Sequence, residues 1–498
     1  MEVMDIRPLL APVVSFACAG MVFFYGSNRH WRHFWMLSAA ITKMVIVISM
    51  LPGSLRGTVY YYDVIDFTGG VGLGFRADAL GMFFSLVSAT LWVITTIYAI
   101  GYMGGDEKRI RFFGFFALCV SSTVGIAFAN NLLTLFLFYE MLTICTYPLV
   151  IHKETPEALR AGRKYLAYTL IGGAFILIGS VMTLDAVGTL NLDRPGILNA
   201  TVDPGSLALI FFLLIAGFGV KAAIMPIHGW LPTAMVAPTP VSALLHAVAV
   251  VKVGAFGILR TVYNVFGVDL LGDLGYTVPL AWLAAFTIIA ASTIAIFQGN
   301  LKRRLAYSTI SQLSYIVLGA ALLTPFAATA AIAHIANQAF AKITMFFVAG
   351  AIERTTGKTE IRELAGIGHR MPWTMGAFTV AALSFTGFPL FAGFITKWYL
   401  CLGSLEAGQW WFLAVMVASS LLNAAYFLPI VYLAFFKPVP RHEAPGDEEP
   451  PRIQEARPSL LIPTLLCAAY VIVLGASADV PGMPFSLAQA AVHFVFGM

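Results

Sequence analysis

Residues 206–264 read SLALIFFLLIAGFGVKAAIMPIHGWLPTAMVAPTPVSALLHAVAVVKVGAFGILRTVYN. They contain two apolar runs, 206–225 and 239–264, each long enough for a helix to cross about 30 Å of hydrocarbon. Each run also carries a lysine, Lys221 and Lys252, and Pro226 interrupts the first just after its lysine. A charged group at bilayer depth costs at least ~2.5–3.5 kcal/mol on insertion scales. A helix broken at that depth is tolerated only where its freed backbone lines a hydrated cavity. The stretch therefore reads as the wet interior of a membrane protein.

The rest of the chain agrees. Of its 498 residues, 59% are hydrophobic and only 11% charged, against roughly 45–50% and 25% in soluble domains. About fourteen spans are expected, at 9–26, 36–53, 78–103, 111–129, 131–151, 164–188, 206–225, 239–264, 278–298, 304–323, 326–352, 374–400, 408–436 and 458–477. Runs of this length suit helices and not barrel strands, so the fold class is an all-α polytopic membrane protein. Charge sets the orientation. The loops after spans 1, 3, 5, 9, 11 and 13 hold most of the lysines and arginines, including Lys108, Lys153, Lys302 and Arg354. The opposite side holds only Arg7, Arg56, Arg76, Arg194 and Arg260. The positive-inside rule then places both termini on the outer side of a cell membrane. The opening MEVMDIRPLL has the wrong charge for a signal peptide and reads as the lead into a retained first span.

Five regions follow. Residues 1–110 hold three spans, with a hairpin expected on the outer side at 56–77, where β-formers surround a Gly-Gly pair. Residues 111–264 and 278–436 hold five spans each. The Pro- and charge-rich 437–457 reads as a flexible cytoplasmic linker, and 458–498 as the last span with an external tail. Span 12, in LSFTGFPLFAGFITKWYL (383–400), places Gly387, Pro389 and Gly393 ahead of Lys397, much as Pro226 stands beside Lys221. Broken helices 7 and 12, five spans apart, suggest a repeat of spans 4–8 and 9–13. Because five is odd, the repeats are inverted in the membrane.

Five lysines remain inside spans: Lys43, Lys221, Lys252, Lys342 and Lys397. Lys43 is expected to snorkel to a nearby helix end. The other four share the membrane with one deep acid, Glu140. Desolvation favours neutral lysine and a nearby carboxylate favours the charged form, so such a lysine is a switchable proton site where arginine is not. His246 and His334 are read as lining polar, hydrated stretches with Ser242, Asn337 and Gln338. Haem ligation is the alternative, but nothing marks a pair facing one pocket. Cys18, Cys119, Cys145, Cys401 and Cys467 stand singly in apolar stretches, which argues against a zinc or iron–sulfur site. No cofactor or metal is expected. No basic patch with interleaved aromatics suggests nucleic acid.

The segments FYE (138–140), GVKAAIMPIHGWLPTAMVAPTPVSALLHA (219–247), LKRRLAYSTISQLSY (301–315) and GFPLFAGFITKW (387–398) resemble the antiporter-like subunits of complex I. The same family includes Mrp-type Na⁺/H⁺ antiporter subunits and the membrane arms of energy-converting hydrogenases. The resemblance implies two inverted five-helix repeats, each a half-channel, joined by a polar axis at midplane. It implies that Glu140 pairs with Lys221, and that Lys252, Lys342 and Lys397 continue the proton path beside His246 and His334. Gln338 stands where members often carry a second histidine. Lys397 argues against the branch with a glutamate there, and the absence of a lateral helix after span 14 favours an Mrp-like or hydrogenase-like member.

The expected function is that of a proton-translocating subunit, with or without Na⁺ as cargo, working among other membrane subunits in a lipid bilayer. Any electron chemistry belongs to those partners, since the chain shows no active site of its own. A stand-alone secondary transporter is the competing reading.

Overall fold

The computed structural model describes residues 1–68, 71–438, 453–478, 480 and 482–497. Seven helices open the chain: α1 (Arg7–Tyr25), α2 (Arg29–Ser54), α3 (Ala79–Tyr102), α4 (Arg109–Ala127), α5 (Leu132–Val150), α6 (Pro156–Val187) and α7 (Pro204–Ala222). The short α8 (Trp230–Thr233) leads to α9 (Thr239–Ala247) and α10 (Val250–Arg260), then α11 (Val268–Leu274), α12 (Thr277–Ile296), α13 (Leu301–Ala321) and α14 (Pro325–Thr356). After α15 (Ile367–Arg370) come α16 (Pro372–Thr386), α17 (Ala392–Glu406), α18 (Trp410–Phe436), α19 (Pro458–Ala476) and α20 (Pro484–Phe496).

Among the described residues, twelve helical segments are long and apolar enough to cross a membrane, with 239–266 counted as one. The two other expected spans fall on α13, a 21-residue helix opened by LKRRLAYSTISQ, and on α16–α17, which are two helices and not one. Helices α2 and α6 begin earlier than expected. Asn28 and Thr155 accept hydrogen bonds from backbone amides as N-caps, and Pro156 suits the first turn of α6, so each helix extends into its loop.

Strands β2 (Val59–Thr68) and β3 (Val71–Ala77) pair antiparallel, and β1 (Glu2–Met4) adds a parallel third strand. The sheet closes one end of α3, where the Arg76 amide donates to the Phe128 carbonyl at 2.6 Å.

A recurrence runs through the middle of the chain. Helices α6 and α14 are both 32 residues long, start at a capping Thr followed by Pro, and end at a left-handed glycine, Gly188 or Gly357. Helices α5 and α13 both start at a capping Asn, and that Asn bridges to the chain just past α6 or α14. Each position recurs 169 residues on: Asn131 as Asn300, Thr155 as Thr324, Gly188 as Gly357, and Asn191 as Glu360. The two Asn caps lie at opposite ends of α3. Asn131 sits at the sheet, donating to the Gly72 carbonyl at 3.0 Å. Two residues past Asn300, Lys302 approaches Glu353, which accepts from Tyr102 at the far end of α3.

Helix α14 is the hub, buried along its whole length like 239–266, and α3, α9, α13, α16, α17 and α19 pack on it. Small residues permit that approach. A methyl added to Gly319 of α13 or Gly403 of α17 would come within 2.7 or 2.5 Å of the Ala327 backbone.

The structure corrects two expectations. Lys43 does not snorkel: it is fully buried, 4.2 Å over the Trp92 ring, with its amine 3.4 Å from the Val120 carbonyl. Mid-helix and facing α3 and α4, it has no helix end within reach. Arg260 is not a loop charge but lies buried at the end of α10, where it donates to both carboxylate oxygens of Asp78, at 2.5 and 2.8 Å. Most of the expected linker, 439–452, lies outside the described residues. Its end is docked, since the Glu455 carboxylate caps the start of α16 by accepting from the Trp373 amide at 2.6 Å and the Thr374 hydroxyl at 2.6 Å.

Candidate functional site

Both expected breaks are present. Helix α7 stops one residue past Lys221, where Ala223 takes a left-handed conformation (φ 56), and regular helix resumes at Trp230. The second break runs from the left-handed Gly387 (φ 86) to Phe391, and Lys397 stands in the second turn of the helix that follows. A third break was not expected. It separates α9 from α10 at Val248–Ala249, between His246 and Lys252, in HAVAVVKVG, where no glycine or proline stands at the interruption.

Glu140 and Lys221 lie near one another but are not joined. No ion pair links them, and Glu140 Oε1 is buried without a hydrogen-bond partner on the protein. That oxygen rests on Gly173 of α6, where a Cβ would sit 1.8 Å away. The Lys221 amine instead donates to the Tyr139 carbonyl at 2.6 Å and lies 3.3 Å from the centroid of the Tyr139 ring. Its two holders are the backbone and side chain of the residue next to Glu140. A cation stacked on a desolvated ring gains ~2 kcal/mol, so this is a second seat for the amine, within a side-chain rotation of the acid.

Lys342 and Lys397 are brought together by groups the sequence did not mark. Lys342 donates to the Ser308 hydroxyl at 2.7 Å, 4.1 Å over the Phe385 ring. Ser308 accepts from the Tyr426 hydroxyl at 3.1 Å, and Tyr426 bonds to Asn423. Asn423 donates to the Phe385 carbonyl at 3.0 Å, and Lys397 donates to that same carbonyl at 2.5 Å and to Ser420 at 3.0 Å. The break after α16 frees this carbonyl, because the helix that would have used it ends at Thr386. His334 joins the cluster through Thr396, at 3.0 Å, and stacks on Tyr315. Serine, tyrosine and asparagine carry no signal when scattered through apolar helices, so Ser308, Tyr426, Asn423 and Ser420 were missed.

Between these clusters the polar groups are buried and unpaired on the protein. Lys252 Nζ, both nitrogens of His246, Ser242 Oγ, His334 Nε2 and both amide atoms of Gln338 have no partner, and neither has Gln312, another residue without a sequence signal. An unsatisfied buried group costs about 1–3 kcal/mol, and groups lined up this way are satisfied by water. His246 lies against Phe346, with ring centroids 4.7 Å apart, and not against a second histidine. Among the described residues, no three His, Cys, Asp or Glu side chains converge as metal ligands. The largest cavity, about 850 Å³, lies among apolar residues of α6, α7 and α12 such as Phe175, Phe212 and Leu283, and none of the buried amines borders it.

Comparison with known proteins places this arrangement. Residues 129–423 match the family described as NADH:quinone oxidoreductase/Mrp antiporter, TM, and residues 67–113 match the complex I chain 5 N-terminus. NADH-quinone oxidoreductase subunit N of Desulforudis audaxviator is 34% identical over 451 residues, covering 88% of this chain and 89% of that protein. A chain of the archaeal membrane-bound sulfane sulfur reductase superposes with a TM-score of 0.89 at 25% identity, covering 99% of each. A chain of the Mrp complex from Dietzia sp. DQ12-45-1b shares the fold, with a TM-score of 0.87 at 23% identity over 99% of this chain and 98% of that one. This protein belongs to the NADH:quinone oxidoreductase/Mrp antiporter family of membrane subunits.

Proposed function

We propose that this chain is a proton-translocating membrane subunit of a larger complex, whose partner subunits carry the redox or antiport chemistry. The observation that carries the reading is the line of buried amines and unpaired polar groups from Glu140 and Lys221 through Lys252 and His246 to His334, Lys342 and Lys397. A single solute pocket does not need lysines on four helices, whereas a hydrated proton wire does. H⁺ is the cargo, with Na⁺ a second candidate in the Mrp branch of the family.

In this reading 111–264 and 278–436 are two inverted half-channels. The 169-residue recurrence, with its Asn caps at opposite ends of α3, supports the inversion. Both termini face the outer side, as the distribution of Lys and Arg suggests. Lys221 moves between the Tyr139 ring and the Glu140 carboxylate. Against the acid it holds a proton, and away from it desolvation favours release. Such a two-state element is what a neighbouring subunit needs in order to couple its own change to proton movement. Lys252, the histidines and Lys342 relay, and Lys397 exchanges protons at the second break.

The test is Lys221→Ala in the native complex, assayed in membrane vesicles by a pH-sensitive dye. Translocation should be lost while the subunit remains in the purified complex. Translocation at the wild-type rate would overturn the reading.

A further inference from the structure

A cavity of about 650 Å³ opens where three loops meet the end of α14. Its walls include Tyr102, Asp106, Lys108, His152, Lys153 and Arg354. These residues belong to the loops after spans 3, 5 and 11, which the distribution of basic residues assigns to the cytoplasmic side. The loops are tied together: Lys108 and Arg111 both bridge to Glu154, holding its carboxyl down to about 2, and His152 Nε2 bonds to Asp106 at 3.1 Å. A cavity with clamped walls keeps its shape.

Glu353 connects this cavity to the interior. Its side chain is 23% exposed, and Oε2 accepts from the Tyr102 hydroxyl at 3.2 Å and the Thr239 hydroxyl at 2.9 Å, with the Lys302 amine 3.7 Å away. Thr239 is fully buried and opens α9, the first half of the span broken before Lys252. Ser242 and His246 follow at three and seven residues, on the same face of that helix. At about 1.5 Å per residue the column from Thr239 to His246 is about 10 Å long. Every polar side-chain atom of Ser242 and His246 is buried and unpaired on the protein. Beyond His246 the helix breaks, and the unpaired Lys252 amine follows.

We infer that this cavity is a proton-collecting vestibule and that Glu353 is its inner acid, passing protons through Thr239 and along the Ser242–His246 face of α9 to Lys252. The inference rests on the proposed function and adds to it the place and the residues by which protons reach the axis. Lys302 near the carboxylate keeps it ionised between transfers, so it accepts the next proton from water in the cavity. The bonded Thr239 hydroxyl fixes the carboxylate towards the interior. Glu353 sits at one end of α14, a full 11 residues from Lys342, so it belongs to neither buried cluster described above.

The experiment uses the whole complex in vesicles with the cytoplasmic face outward. In Lys153→Cys, a thiol at the cavity wall is modified with a small methyl reagent or with a bulky, membrane-impermeant maleimide. The native cysteines are buried, except the half-buried Cys401. The bulky adduct should slow translocation about tenfold or more, as loss of one positioned proton carrier does. The methyl adduct and bulky-treated wild type should run at the normal rate. Separately, Glu353→Gln should slow translocation by a similar factor at normal subunit content, with Glu353→Asp recovering much of it. A bulky-labelled Lys153→Cys complex that translocates normally overturns the vestibule, and a normal Glu353→Gln overturns the role of the acid. Lys221→Ala in parallel separates the two readings. If it too is normal the proposed function fails, whereas its loss beside a normal labelled Lys153→Cys sinks only the vestibule.

Discussion

The region around Glu140 and the region 169 residues further on use the same helix pair with the charge moved across. In the first, α5 carries Tyr139 and Glu140, and the carboxylate rests on Gly173 of α6. In the second, Ser308 and Thr309 stand at the matching positions of α13, and Lys342 replaces the glycine on α14. The bonding differs accordingly. Carboxylate and amine are unjoined in the first region, with Lys221 seated on Tyr139. In the second, a closed path of hydroxyls, an amide and one carbonyl joins Lys342 to Lys397 without any acid. An opposite charge within reach gives a lysine two seats of different proton affinity, whereas neutral hydroxyls and rings give it one. The first region is therefore built to switch and the second to conduct.

Removing the far end of the conducting region should have the larger effect. Lys397→Ala deletes the amine at the break of α16–α17, and translocation should fall about a hundredfold or more, the usual worth of a positioned proton-transfer group. The complex should still assemble, since α16 and α17 keep their packing on α14. Lys252→Ala and Lys342→Ala should lose less, because water bridges a missing relay. Equal, total losses at all three would erase the distinction between terminal and relay lysines.

A smaller effect is expected at Tyr426. Tyr426→Phe removes the hydroxyl between Ser308 and Asn423 but keeps the ring against Phe427. Translocation should slow by no more than about fivefold, the equivalent of one hydrogen bond of ~1 kcal/mol. A loss as deep as that of Lys397→Ala would mean that the hydroxyl itself carries the proton in an obligatory step.

Much of this was legible in the sequence because cost makes it visible. A lysine in a span and a proline or glycine beside it are expensive in hydrocarbon, so Lys221 with Pro226 and Lys397 with Gly387 announce themselves. What the sequence hid was cheap by comparison. Ser308 and Asn423 look like ordinary helix residues until Lys342 and the Phe385 carbonyl are placed against them. The break at Val248–Ala249 has no glycine or proline because burial on every side holds it, and Lys43 gave no hint of its seat on Trp92, which depends on α3 being alongside. Nor did the segments of the 169-residue recurrence match as strings. The caps and the helix lengths match, and these are properties of the backbone.

The account stands most directly on Glu140 as the acid of the switch. The decisive measurement is proton translocation by the purified, membrane-extracted complex carrying Glu140→Gln or Glu140→Asp, with subunit content checked in each. Breaking a buried charge pair alone costs ~3–5 kcal/mol, so activity counts only in complexes that remain assembled. Glutamine fills the space over Gly173 but takes no charge, and translocation should collapse. Aspartate keeps the charge with a shorter reach and should retain part of the activity. Normal translocation by the glutamine variant would contradict the switch and leave Glu140 a structural neighbour of Lys221.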